Sequence, residues 1–378
     1  MESVAFVSRR LGFKGKLAVW AIAISFLIII VSISVAGGFR REIRDGVSEI
    51  AGDIQIADIY QNFYSDTDPI LTDLPFVEKV RTVKGVKSIT PAVYRAGIVK
   101  TDEGIKGVLF KGIPADSSSL EVRVPSKIAK TLRLSAGDEM TAYFVGEKVR
   151  IRKFKVADIY ESAIDNEENL IVYASIDDLR RLNGWEANEA SALEITLEPA
   201  YRTRMLMNEK EAEVGAVCYP LIARSSAHRY GNMFDWLDLI DFNVLAILIL
   251  MILVAAFNMI SGLLILLFRS VSTIGTLKTM GMKDSSIAGV FLSLSSGIVL
   301  KGMAAGNIAA FLFCGIQSAT RFIKLDPANY FVSYVPVELN LLQVLVADVT
   351  AYAVIMILLL IPSLFISRID PAETVRVK

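Results

Sequence analysis

Residues 242–268 read "FNVLAILILMILVAAFNMISGLLILLF", an unbroken run with no charged side chain. A helix crossing ~30 Å of hydrocarbon at ~1.5 Å per residue needs about 20 apolar residues, so this run predicts a membrane-spanning helix. Six residues later comes "IGTLKTMGMKDSS" (274–286), which carries two lysines, two glycines and two methionines. It is too polar to span and too patterned to be an ordinary loop. Another apolar run follows, interrupted by Lys301, over about 287–317.

Working outward, "LAVWAIAISFLIIIVSISVA" (17–36) is a further uncharged run, and residues 339–366 form another, interrupted by Asp348. The fold expected is an α-helical membrane protein with four transmembrane helices at 17–38, 242–268, 287–317 and 339–366. A large α+β extracytoplasmic domain with helical stalks occupies 39–241, between the first two helices. Span one also has the alternative reading of a signal peptide, since "SVA" precedes Gly37, but its apolar run exceeds the usual h-region of ~7–15 residues.

Lysine and arginine near span ends set orientation. Arg9, Arg10, Lys14 and Lys16 precede span one. Arg269, Lys278 and Lys283 lie between spans two and three, and Arg368, Arg376 and Lys378 follow span four. With four spans these groups share the cytoplasmic side. The N-terminus (1–16), the segment 269–286 and the tail (367–378) are then cytoplasmic, while the domain and the short loop 318–338 face the periplasm.

The domain pattern is short strands, among them "GDIQIAD", "SITPAVY", "AGIVKT", "KGVLFKGI", "RKFKVADIY" and "ALEITLE", rich in β-branched and aromatic residues. Helices are expected in "LPFVEKVRTVKG", closed by Gly85, in "SIDDLRRLNG", with Ser175 and Asp178 as a capping-box-like start and Gly184 as stop, and in "AYRTRMLMNEKEAEVG". No nucleophile elbow, H-E-x-x-H motif or Cys/His cluster is present, so the chain reads as non-catalytic. Two cysteines, Cys218 and Cys314, make no disulfide framework, and the single histidine, His228, excludes a His-rich metal centre. "DNEEN" (165–169) lacks EF-hand spacing and reads as an exposed loop. Forty Lys+Arg balance forty Asp+Glu, a net charge that argues neither for nor against a polyanionic partner, while the lack of a basic block with interleaved aromatics speaks against nucleic acid. "GFKGK" (12–16) is not a G-x-x-x-x-G-K-[ST] phosphate loop, and no other stretch is one, so any ATP used would be hydrolysed by another chain.

The segment after span two raises two readings on its residues alone. Ile274, Gly275, Leu277, Lys278, Met280, Gly281, Met282 and Lys283 form either a short helical handle for a cytoplasmic partner or an interfacial helix with its lysines toward lipid phosphate. Gly281 is placed to end that helix. Lys301 and Asp348 are charges at bilayer depth, where burial costs ~2.5–3.5 kcal/mol on insertion scales. An intramembrane ion pair, two charges lining a polar cavity, and a snorkelling Lys301 with Asp348 in the headgroups are the alternatives. "GMAAG" (302–306), Ala309 and Ala310 form a small-residue face suited to close helix packing. Phe26, Ile29 and Ile33 are candidates for lining an acyl-binding cavity.

"VAAFNMISGLLILLF" leading into "IGTLKTMGMKDSSIAGVF", with "GGFRREIRDGVSEIAGDIQI", "MFDWLDL", "DPANYFVSYVPVEL" and "RIDPAETVR", resembles FtsX/MacB-type ABC transporter permeases, and within them the lipoprotein-releasing LolC/LolE kind. The likeness runs along nearly the whole chain in order. It implies four spans around a periplasmic domain, an ATPase-coupling role for residues 274–283, a separate ABC ATP-binding subunit using ATP and Mg, and a second permease subunit, as homodimer or heterodimer. It further implies residence in the inner membrane of a Gram-negative bacterium, a lipoprotein substrate and a periplasmic carrier. A MacB-like export permease and an FtsX-like regulator of peptidoglycan hydrolases are the other functions within the same resemblance. The chain departs from the family at Arg269–Ser270, where relatives often carry Glu followed by Arg or Lys, and at Lys301 in a span that is usually uncharged.

Overall fold

The computed structural model describes residues 16–61, 68–114, 120–146, 149–161 and 170–363. The basic residues Arg9, Arg10, Lys14, Arg368, Arg376 and Lys378, most of "GFKGK", the "DNEEN" stretch and the tail 367–378 lie outside them.

The helices are α1 (Lys16–Ala51), α2 (Phe76–Arg81), α3 (Ser126–Leu132), α4 (Ile176–Asn183), α5 (Arg204–Val217), α6 (Ser226–Arg229), α7 (Gly231–Arg269), α8 (Val271–Thr279), α9 (Asp284–Thr320), α10 (Pro327–Tyr330), α11 (Leu341–Leu358) and α12 (Leu360–Ser363). The strands are β1 (Ile54–Ala57), β2 (Ile70–Leu71), β3 (Val86–Thr101), β4 (Gly104–Ile113), β5 (Glu121–Pro125), β6 (Glu139–Phe144), β7 (Arg150–Tyr160), β8 (Ile171–Ser175), β9 (Glu189–Ala190), β10 (Ala192–Leu197) and β11 (Ile222–Ser225). Two compact units result. One holds the described residues of 16–39, 238–323 and 335–363; the other holds those of 40–237 and 324–334.

In the helical unit, four helices among the described residues are long and apolar enough to cross a membrane: α1, α7, α9 and the stretch 341–363. Their outward faces carry large apolar side chains, including Trp20, Leu250, Phe257, Leu312 and Val349, as a lipid-facing surface requires. The inward stripe of α9 repeats at helical spacing through Ile287, Phe291, Ser295, Val299, Gly302, Gly306, Ala310, Cys314 and Gln317. A Cβ on Gly306 would lie 2.5 Å from the Ala23 carbonyl oxygen, and one on Gly302 would lie 2.7 Å from Ile22. The small-residue face of 302–310 therefore brings α9 backbone to backbone against α1, where no larger residue fits. Gly38 is as tight against Pro336, where a Cβ would meet the carbonyl at 2.4 Å. Gln317, buried, bonds through Nε2 to the Val335 carbonyl at 2.9 Å and accepts from the Ile323 amide at 3.2 Å, satisfying backbone where α9 ends.

The other unit is α+β. Its nine-stranded sheet runs β11-β1-β10-β3-β4-β8-β5-β7-β6, and an added β3–β6 pairing closes six of the strands into a ring. β3 does double duty: residues 86–92 pair with β10 and 93–101 pair with β4. Inside the ring Phe110, Phe144 and Phe154 pack with centroids 4.9–6.3 Å apart, and Gly97 faces them where a side chain would collide with Phe110 and Phe144. Residues read as two strands, "SITPAVY" and "AGIVKT", are one continuous strand. β5 and β11 escaped the sequence reading, β5 because it is short and ends on Pro125. Gly184 ends α4 in the left-handed conformation, but the Ser175 side chain makes no cap bond there. The Asp178 carboxylate, expected as its capping partner, instead accepts from the Leu120 amide at 2.7 Å and pairs with Arg181.

Candidate functional site

The segment between α7 and α9 is built as a short helix with little slack at either end. Only Ser270 separates α7 from α8, and its amide still bonds back to Leu266 and Leu267. At the other end Gly281 adopts φ +82°, a left-handed conformation that costs other residues ~1–2 kcal/mol. The Gly281 amide then donates to the Lys278 carbonyl at 2.9 Å and the Met282 amide to the Leu277 carbonyl at 3.0 Å. This is a Schellman stop, and its accompanying apolar contact is present: Leu277 and Met282 pack against the same buried cluster. Lys278, in the last turn of α8, pairs at 3.0 Å with Asp284 in the first turn of α9. Each charge sits at the helix end whose dipole favours it, so the pair ties the two helices together.

These contacts sort the eight sequence-selected residues into three groups. Ile274 and Gly275 are buried, Ile274 completely, in the cluster formed with Leu263, Leu267, Ile287 and Phe291. Leu277, Lys278 and Met282 are half-buried. Met280, at 78% exposure, and Gly281 and Lys283 are open. The free face of the segment is completed by Ser272, Thr273, Thr276 and Thr279. Those hydroxyl residues were not singled out from sequence; their 3–4-residue spacing opposite Ile274 was the available signal.

Of the alternatives for the charged residues of the spans, the ion pair is the one that is not formed: none joins Lys301 to Asp348 among the described residues. The Asp348 carboxylate instead accepts from Asn307 Nδ2 at 2.5 Å, and Lys301 points to the exposed side of α9. The reason is helical geometry: Lys301 lies six residues before Asn307, ~9 Å along the axis and ~120° around it. Asp348 is also buried, at 7% exposure, on the interior of α11. Phe26 and Ile29, proposed to line a cavity, are fully buried packing residues of α1, and Ile33 is half-buried against the same interior.

In the α+β unit, a buried polar network that sequence reasoning missed holds the end of α1. The α1 C-terminus has no basic residue of its own in its last turn. Lys111 from β4, 2% exposed, supplies the charge: its Nζ donates to the carbonyls of Glu49 at 3.0 Å and Ile50 at 2.8 Å, and pairs with Glu194 at 2.8 Å. Tyr94 donates to the other Glu194 oxygen, and burial beside that carboxylate pushes its phenol well above the usual range. A second anchor lies alongside. Arg202 bridges Asp45 of α1 at 2.8 Å and Asp53 at 3.0 Å, and Asp53 also accepts from the Leu197 amide at 2.6 Å. Burial lifts the Asp53 carboxyl, and these hydrogen bonds and Arg202 oppose the lift. The alternation of β4 makes position 111 look like an ordinary solvent-facing lysine, so nothing local announced it. Elsewhere in this unit His228 is exposed, with Nδ1 3.9 Å from Glu211, and Cys218 is a buried free thiol raised by burial.

Comparison with known proteins finds similarity in part of the helical unit and along the chain. Residues 245–371, which include all of α8, match the family described as FtsX-like permease C-terminal, so the chain carries an FtsX-like permease domain. The lipoprotein-releasing system transmembrane protein LolC of Xylella fastidiosa is 20% identical, over 97% of this chain and 94% of its own length. The lipoprotein-releasing system transmembrane protein LolE of Haemophilus influenzae is 22% identical, over 95% and 93%. Among solved structures, the periplasmic region of MacB from Actinobacillus actinomycetemcomitans is similar at 10% identity and a TM-score of 0.32, covering 50% of this chain and 95% of that one.

Proposed function

We propose that this chain is the membrane subunit of an ABC transporter of the FtsX type, and that it releases lipoproteins from the inner membrane of a Gram-negative bacterium for outer-membrane targeting. The observation that carries this reading is the near end-to-end likeness to LolC and LolE proteins, which covers 95–97% of this chain and 93–94% of theirs. ATP and Mg are used by a separate ATP-binding subunit on the cytoplasmic side, since no phosphate loop occurs in this chain. A second permease subunit completes the membrane part, and a periplasmic carrier receives the product.

The coupling segment is α8 with its flanking turns. In this reading Ile274, Gly275, Leu277, Lys278 and Met282 anchor the segment to α7 and α9, while Met280, Gly281, Lys283 and the hydroxyl face from Ser272 to Thr279 meet the ATPase. A load on α8 reaches both neighbouring spans, because one end has a single linking residue and the other a Schellman stop braced by Lys278–Asp284. The α+β domain faces the periplasm, and the Lys111–Glu194 and Arg202 anchors tie the C-terminal part of α1, from Asp45 to Ile50, to the sheet.

The test is purification of the tagged chain from native membranes. The expected result is co-elution of a polypeptide with an ATP-binding motif, and ATP-dependent release of an acylated lipoprotein by the recovered complex. Co-elution without lipoprotein release, but with export of another substrate or stimulation of a peptidoglycan hydrolase, would retain the permease and replace its cargo.

A further inference from the structure

The contact between Asn307 of α9 and Asp348 of α11 leaves a specific deficit. Asn307 Nδ2 donates to Asp348 Oδ2 at 2.5 Å. The remaining oxygens of both side chains, Asn307 Oδ1 and Asp348 Oδ1, are buried and have no hydrogen-bond partner among the described residues. Both are acceptors, so neither can satisfy the other unless a hydrogen lies between them.

The geometry points to a proton-binding site inside the membrane: Asp348 holds a proton on Oδ1 and donates it to Asn307 Oδ1, closing a two-bond acid–amide ring with the Nδ2–Oδ2 bond. The ligand is a single proton taken from solvent, and no other bond changes. Charge bookkeeping in the surroundings agrees. Apart from Asp348, α11 carries no Asp, Glu, Lys or Arg. Residues 17–39 of α1, 242–268 of α7, and α12 carry none either. On α9 the only such residues are Asp284, in the first turn and paired with Lys278, and Lys301, which makes no ion pair with Asp348. The other titratable side chains of α9 and α11 are Tyr352, bonded to Ser296 at 2.8 Å, and Cys314, buried on α9. An ionised carboxylate with one neutral donor and no counter-charge is costly at that depth, and the proton removes the cost. A metal cation fits poorly, because hard cations take ~6 or more oxygen ligands and this pair of side chains leaves only two oxygens without a partner.

The experiment is infrared difference spectroscopy of the full-length protein in lipid at neutral pH, wild type against Asp348→Asn. The expected result is loss of a neutral carboxylic-acid carbonyl band in Asp348→Asn with an unchanged melting temperature, since the amide replaces the acid in the ring. Asn307→Leu supplies an independent reading: the acid loses its partner and its carbonyl band moves to higher frequency. The proposal is overturned if wild type shows no neutral-acid band at neutral pH, which would indicate a carboxylate hydrated by water. It is equally overturned if added sodium raises the melting temperature in wild type and not in Asp348→Asn.

Discussion

At the scale of single residues, the clearest lesson is that position on a patterned segment does not reveal which side chains are free. Ile274 and Leu277 look like the gripping residues of a handle, yet they hold it to the helices. Met280 is the apolar residue left in the open. Met280→Asp is therefore expected to leave thermal stability within about 0.5 kcal/mol of wild type, as exposed substitutions do, while sharply reducing stimulation of the partner ATPase. Leu277→Asp should lower both, because it puts a charge against an apolar cluster. Melting curves alongside ATPase rates of the assembled complex separate the two. Lys111 is a second case. Lys111→Met leaves the Glu194 carboxylate buried without its counter-charge and takes one donor from each of the carbonyls of residues 49 and 50, a loss expected to cost about 3–5 kcal/mol. The double variant Lys111→Met/Glu194→Gln should recover part of that stability, measured by thermal melting of the full chain in detergent.

At the scale of elements, sequence pattern was a good guide where one period dominates and a poor one where partners lie far along the chain. The uncharged runs 17–36 and 242–268 announce their helices, because about 20 apolar residues have few other uses. The strands of the ring appear as alternating apolar residues, but their closure through β3–β6 does not, since pairing across distant residues leaves no local trace. Lys301 and Asp348 failed as a pair for a related reason: depth along a helix can be counted, whereas facing depends on which stripe packs inward. That stripe on α9 is set by Gly302 and Gly306 against α1. Gly306→Val is expected to destabilise the protein by about 1–3 kcal/mol, because backbone on α1 would have to move. Gly262→Ala on α7, where a Cβ would meet nothing within 4 Å, should be neutral in the same melting experiment.

At the scale of the whole molecule, the sequence pointed to a segment and the folded chain shows how that segment is held. The absence of a phosphate loop and the amphipathic stretch between two spans together indicated work done through a partner. The anchors that would carry that work, Lys278–Asp284 in the helical unit and Lys111–Glu194 in the α+β unit, join residues whose roles emerge only once the chain is folded. In the proposed account ATP-driven movement at α8 is delivered to an α+β domain in the periplasm, and lipoprotein leaves the membrane as a result. The most direct test reconstitutes the chain with its ATP-binding subunit and second permease in proteoliposomes loaded with an acylated lipoprotein. ATP with Mg should release the lipoprotein to a soluble carrier, and Met280→Asp should abolish release while the complex remains assembled. Release that proceeds equally without ATP, or undiminished in Met280→Asp, would contradict the account.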